Sequence, residues 1–211
     1  MPNNTESKQT RGRPSVPETI LKEKIMNAAL DSLLEDGYQL TSIDNVAKRA
    51  GVAKKTIYRF IENREALVER VVLSWTDSFV PLFEQTATTR DELFHLLQNN
   101  LELIGKTVLS QKAVGLYRLL QTEFLHKDVL LEKYQQNGIE RSRQLLTQWL
   151  AHHAQEKIIA HHDFTIISDL ILSMAIAEPL RQISLGLSPA GLTSPLKQRI
   201  QHVIDFCRSI T

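Results

Sequence analysis

The chain holds one cysteine, Cys207. An intrachain disulfide is therefore excluded, and a reducing compartment fits. Glycine and proline are scarce, eight and seven in 211 residues, and β-branched alternation is absent. Strand-and-turn architectures lose their punctuation, so an all-α fold is expected. No apolar run has membrane-spanning length; the best, 166–176, is short and contains Asp169. No apolar signal core stands near the start, so a cytoplasmic location is expected, with no membrane partner. Neither sign of charge dominates, the net being +1. There is no Gly-rich phosphate loop, no HExxH spacing and no local Ser/His/Asp signature. An enzyme is not expected, nor a cofactor, nor a metal. The pairs His152-His153 and His161-His162 lie too far apart to suggest a ligand set and read as surface histidines.

What is present is unevenly placed. Residues 1–60 carry ten Lys or Arg against seven Asp or Glu, a net of +3, which leaves −2 for the rest. Within this part the segment 41–65 organises the reading. Thr41 or Ser42 can cap a helix start, with Asp44 three past Thr41 in capping-box spacing. Ile43, Val46, Ala47 and Ala50 follow at helical spacing. Gly51 can turn left-handed without a Cβ penalty. A second short helix begins after Ala53, with Ile57 and Phe60 or Ile61 inward. Helix, glycine turn, helix is a helix-turn-helix layout. Lys48, Arg49, Lys54, Lys55 and Arg59 fall in a stretch with no acid from Asn45 to Ile61, and Thr56 and Tyr58 add hydroxyls. Such a helix suits a phosphate-lined major groove.

This segment resembles the DNA-binding motif of the TetR/AcrR family of bacterial transcriptional regulators. The matching residues are Thr41, Ile43, Val46, Ala47, Ala50-Gly51-Val52, Lys54, Thr56-Ile57-Tyr58, Phe60, Asn63 and Glu65-Ala66-Leu67, within about Ile25 to Leu67. Many family members carry Ser or Thr where this chain has Ala53, so the second helix lacks a side-chain cap. The resemblance implies a DNA-binding regulator, typically a repressor, released by a small-molecule effector. It also implies a basic phosphate contact at Arg64. Lys54 and Tyr58 are expected to grip phosphate, while Lys55, Thr56 and Arg59 approach bases, with Thr41 and Ser42 at the start of the motif. Ahead of it, Arg11-Gly12-Arg13-Pro14 reads as an arm able to lay arginines in a narrow A·T-rich minor groove. A ligand-independent regulator or activator is the main rival reading, and an all-α enzyme with a basic surface helix the second.

The expected organisation is a disordered basic arm over 1–14, a three-helix head over 15–62, and a helical body over 63–211. Ser15 and Glu18 have capping-box spacing for the first helix, which Gly37 should end near Glu35. The next helix starts at Asn63, carries the stripe Leu67, Val71, Trp75, Phe79, Leu82, and should bend or end by Pro81. It leaves the head and enters the body. Further helices start near Thr88 or Thr89, Ser110, Asp128 and Asp163, with Gly138 and Pro179 as weak points, and Ser194-Pro195 opens the last.

The resemblance further implies an effector pocket in the body. Trp75, Phe79, Tyr117, Gln121, Phe124 and Trp149 are candidates to line it, with Arg118 and Glu123 as further polar candidates, for a partly apolar ligand. It also implies a homodimer on a pseudo-palindromic double-stranded operator, built on the helices at about 165–187 and 195–210. Ile167, Ile171, Met174, Ile200, Val203 and Ile204 are the candidate interface residues.

Overall fold

The computed structural model describes residues 17–122 and 127–210; among these the regular structure is all helical, with no strand. Arg11, Arg13 and Ser15, and Glu123 and Phe124, lie outside the described residues.

The head is built from α1 (Glu18–Leu40), α2 (Ile43–Ala50) and the short α3 (Lys54–Ile57). The expected stripe of α1 is buried at Ile25, Ala28, Ala29 and Leu33. Regular α1 geometry ends at Gly37, whose φ of 77° and ψ of 167° lie outside the helical region. Thr41 is not the cap of α2. Its N–H and its hydroxyl both donate to the Gly37 carbonyl, at 3.2 and 2.8 Å, and it is 1% exposed. Ser42 caps α2 instead, accepting the Asn45 N–H at 3.2 Å, so the Thr41–Asp44 capping box does not form. Gly51 then takes the left-handed conformation (φ 59°, ψ 41°), which any Cβ would strain. Ala53, as expected, supplies no cap to α3. That omission costs roughly 1 kcal/mol against Ser.

Asn63 accepts the Ala66 N–H at 2.9 Å and so starts α4 (Ala66–Phe79), which runs into a turn of 3-10 helix at Val80–Leu82 containing Pro81. The body follows as α5 (Arg90–Val108), α6 (Gln111–Leu119), α7 (Lys127–Tyr134), α8 (Arg141–Gln155), α9 (Phe164–Leu172), α10 (Glu178–Ser184) and α11 (Ser194–Ile210). Thr89, Ser110 and Asp163 cap α5, α6 and α9 through their side chains. At or just before the two weak points the helix turns π-helical rather than breaking. Gln135–Glu140, which contains Gly138, joins α7 to α8, and Ser173–Ala177 joins α9 to α10. Pro179 explains part of the second. In the π register Glu178 N–H reaches the Ser173 carbonyl, and the next carbonyl, Met174, would need an N–H from Pro179. Arg199 on α11 supplies that donor, Nε to Met174 O at 2.6 Å.

Two cores result. The head-side core holds Ile25, Leu33, Val46, Ile57 and Ile61, but also Leu67, Val68, Val71 and Val72 of α4, Leu116 and Leu120, and Leu130. Helices on both sides of residue 62 therefore contribute to one core. The packing is close where α6 meets α1: a Cβ on Gly115 would lie 2.9 Å from Leu34 Cδ2. The body core gathers Leu93, Leu97, Leu101, Leu150, Ile171, Ile200 and Val203. Trp75 packs against both cores.

His153 is not the surface residue its pairing with His152 suggests. It is 0% exposed. Its Nε2 accepts the Ala87 N–H at 2.8 Å, so Nδ1 carries the proton and donates to the Trp149 carbonyl at 2.7 Å. Burial lowers its pKa below the ordinary value near 6.5. The folded state thus binds this proton less readily than the unfolded chain. Its contribution to stability is whole above about pH 6.5 and is lost as pH falls below it. Thermal melts between about pH 7 and pH 5 should show a steeper loss in the wild type than in His153→Gln. Equal slopes would mean that His153 is not the group being titrated.

Candidate nucleic-acid interface and effector cavity

The cap at Ser42, the turn at Gly51 and the buried Ile57 and Ile61 fix how the basic segment is displayed. Lys48, Lys54, Lys55, Tyr58 and Arg59 are exposed, and Thr56 is half-buried. Folding brings acids to this acid-free run. Lys54 Nζ lies 2.6 Å from Asp44 Oδ1, Arg59 lies 3.4 Å from Glu18, and Arg49 lies 2.6 Å from Glu35. The Asp44 carboxylate raises the Lys54 pKa, so the ammonium stays charged. Arg64 donates to the Gln39 carbonyl at 3.0 Å and sits 5.0 Å over the Tyr38 ring. It ties the start of α4 to the end of α1. Thr41 is enclosed, and its hydroxyl is used within the head, so it offers no surface to a groove.

The body contains a cavity of about 210 Å³. Trp75 and Phe79 of α4, Tyr117 of α6 and Tyr134 of α7 give it aromatic walls, and Ile104, Ile176 and Leu180 are aliphatic neighbours. Both π-helical joints border it, through Gly138 and Ile139 on one side and Ser173, Ile176 and Ala177 on the other. Ser142, Ser173, Arg143 and Asp169 form a polar end. Burial pushes the Tyr134 phenol up to about 12, so it remains a neutral hydrogen-bonding group.

Three of the expected lining residues, Trp75, Phe79 and Tyr117, are on its wall. Trp149 is not. It is core, with Nε1 donating to the Gln85 carbonyl at 2.7 Å and its ring edge-on to Phe83. Gln121 is exposed and donates to the Tyr117 carbonyl at 3.3 Å, away from the cavity. Arg118 donates to the Ser184 and Ile183 carbonyls at 2.9 and 2.6 Å, closing the end of α10. Tyr134, Arg143 and Asp169 were missed, because only the path of α7–α9 around the cavity brings them in. Among the described residues no group of three or more His, Cys, Asp or Glu gathers to hold a metal, and no helix is long and apolar enough to cross a membrane.

Four of the six expected interface residues face inward. Ile171, Ile200, Val203 and Ile204 belong to the body core, while Ile167 and Met174 are half-buried against it. The apolar side chains left exposed on the same helices are Ile166 and Leu170 on α9, and Phe206 and Ile210 on α11. Each pair is four residues apart and so shares a helix face.

A capped helix, a left-handed turn and a basic second helix, carried on a helical body with its own cavity, define a helix-turn-helix DNA-binding regulator. The comparisons agree. Residues 25–71 match the family model of bacterial regulatory proteins, tetR family. The chain is 33% identical over 143 residues to an uncharacterized HTH-type transcriptional regulator, YdeS, of Bacillus subtilis (strain 168), a match covering 61% of this chain and 70% of that one. Among solved structures, the flavonoid-responsive regulator FrrA is 26% identical with a TM-score of 0.61, over 89% of this chain and 95% of that one. The regulator FadR of Bacillus subtilis, solved with stearoyl-CoA, is 19% identical with a TM-score of 0.61, over 87% and 96%. The chain belongs to the TetR family of bacterial transcriptional regulators.

Proposed function

We propose that the chain is a repressor that binds a pseudo-palindromic operator as a two-fold homodimer and is released by a small molecule held in the body cavity. The observation that carries the reading is the course of α4. Leu67, Val68 and Val71 on it are built into the head core, and Val72, Trp75, Thr76 and Phe79 border the cavity. One rigid element thus spans the two sites, and a ligand that favours one setting of α4 shifts the spacing of the two heads. FrrA is named for its response to flavonoids, and the FadR neighbour holds stearoyl-CoA. Both ligands have apolar parts, and the wall of this cavity is largely apolar. The exposed rows Ile166–Leu170 and Phe206–Ile210 supply the self-association face. An isologous contact repeats each row about the two-fold axis and sets two recognition helices on successive major-groove faces.

On DNA, Lys54, Tyr58 and Arg64 serve phosphates, and Lys55, Thr56 and Arg59 face base edges, with Ser42 at the backbone entry. Arg11 and Arg13 supply the minor-groove arm. The reading is tested by titrating the full chain against DNA from upstream of its own gene at several salt concentrations. Affinity should fall steeply and linearly in log–log form with salt. A shallow slope, or binding no better than to unrelated DNA, removes the operator reading. Operator affinity that no cavity-bound compound alters leaves the ligand-independent regulator.

A further inference from the structure

The charges at the polar end of the cavity decide what kind of ligand it accepts. Arg143 is the only cation among the described residues that line it. Its guanidinium is already matched twice, by Glu140 through Nη2 and by Asp169 through Nη1 at 3.2 Å. The arginine therefore has no uncompensated charge for a carboxylate or phosphate, and the three groups together carry one negative charge. Cations near the cavity are engaged elsewhere: Lys133 with Glu69, Arg141 with Asp77, Arg181 with Glu178, and Arg199 with the Met174 carbonyl, and none of these four lines it. Asp169 uses Oδ1 for Arg143, and its Oδ2 takes no hydrogen bond from the described residues. The rings of Trp75, Phe79, Tyr117 and Tyr134 line the same cavity. Aromatic faces attract cations and repel anions. A volume of about 210 Å³ admits one ring with a short chain.

Resting on the reading of this cavity as the effector site, we infer that it selects a small amphipathic amine, with an apolar body among the rings and an ammonium at Asp169, over a carboxylate of the same shape. The amine gains a charge-assisted hydrogen bond to Asp169 Oδ2. The carboxylate meets a site of its own sign and has to displace Glu140 or Asp169 from Arg143.

The test uses the full chain with 3-phenylpropylamine, 3-phenylpropan-1-ol and 3-phenylpropanoate near pH 7, read by calorimetry and by competition with operator DNA. The amine should bind about tenfold or more tightly than the carboxylate, with the alcohol between them. Asp169→Asn should bring the amine down to the level of the alcohol and leave the alcohol unchanged. Asp169 is exposed, so this exchange buries no new group and the fold is retained, which the unchanged alcohol itself reports. Carboxylate binding equal to or tighter than amine binding overturns the inference while leaving the effector site standing. Failure of all three to bind overturns both.

Discussion

Glutamate in place of Phe206 should leave a folded monomer that binds the proposed operator poorly, whereas glutamate in place of Val203 should leave no stable fold. The two residues are three apart on α11, roughly 60° apart around its axis, yet one is buried and the other lies at the exposed edge. Val203 is 5% exposed and packs in the body core with Ile200, Ile204 and Cys207. An unpaired carboxylate there costs several kcal/mol, a large part of the roughly 5–15 kcal/mol that holds a domain. Phe206 is 46% exposed in the single chain and belongs to neither core cluster, so its replacement disturbs intrachain packing far less. In a two-fold dimer the same substitution occurs twice across the axis and sets like charges against an apolar row. A monomer keeps one head and one half-site. Its operator affinity should fall roughly a thousandfold or more. Sedimentation, circular-dichroism melts and operator titration of both variants separate the cases. A Phe206→Glu protein that still sediments as a dimer sinks the proposed face. A Val203→Glu protein that melts like the wild type sinks the placement of Val203 in the core.

Those two residues also mark where the sequence stops being legible. The period of apolar residues along α11 reveals that the helix has a buried side. It does not reveal whether that side is covered by its own chain or by a second one, since both demand the same residue types. Ile171, Ile200, Val203 and Ile204 are such residues, and their own chain covers them. Local chemistry was more readable. The left-handed Gly51, the cap at Asn63, the uncapped Ala53 and the helix end at Pro81 each depend on a few neighbouring residues, and each is found as expected. The capping choice between Thr41 and Ser42 turned on one carbonyl, that of Gly37, which only the turn at the end of α1 presents. The cavity was half legible. Trp75 and Phe79 follow from the stripe of α4, but Trp149 obeys the same rule and packs in the core. Tyr134, Arg143 and Asp169 reach the cavity through the packing of α7, α8 and α9 around it, and no local pattern encodes that convergence.

Replacing Lys54 and Lys55 together by alanine should lower operator affinity roughly a hundredfold, and the single variants should reveal different work by the two lysines. In the free protein Lys54 holds Asp44 at 2.6 Å, and the ammonium must leave that carboxylate or share it when a phosphate arrives. Its contribution to binding is discounted by the pair it gives up. Lys55 has no ion pair among the described residues and brings its full charge to the groove. Lys54→Ala should weaken all sequences alike and reduce the salt slope by about one. Lys55→Ala should weaken the operator more than unrelated DNA, because a lost base contact erodes discrimination. Tyr58→Phe removes a neutral donor, so affinity should drop while the salt slope stays as it was. Asp44→Asn reverses the sign of the first effect: it frees Lys54 and should raise affinity for every sequence. The measurement is a salt series on operator and scrambled DNA for each variant, with melts confirming that the head is intact. If the double variant binds as the wild type does, α3 is not the reading helix. If Asp44→Asn weakens binding, the carboxylate is positioning Lys54 for the phosphate rather than competing for it.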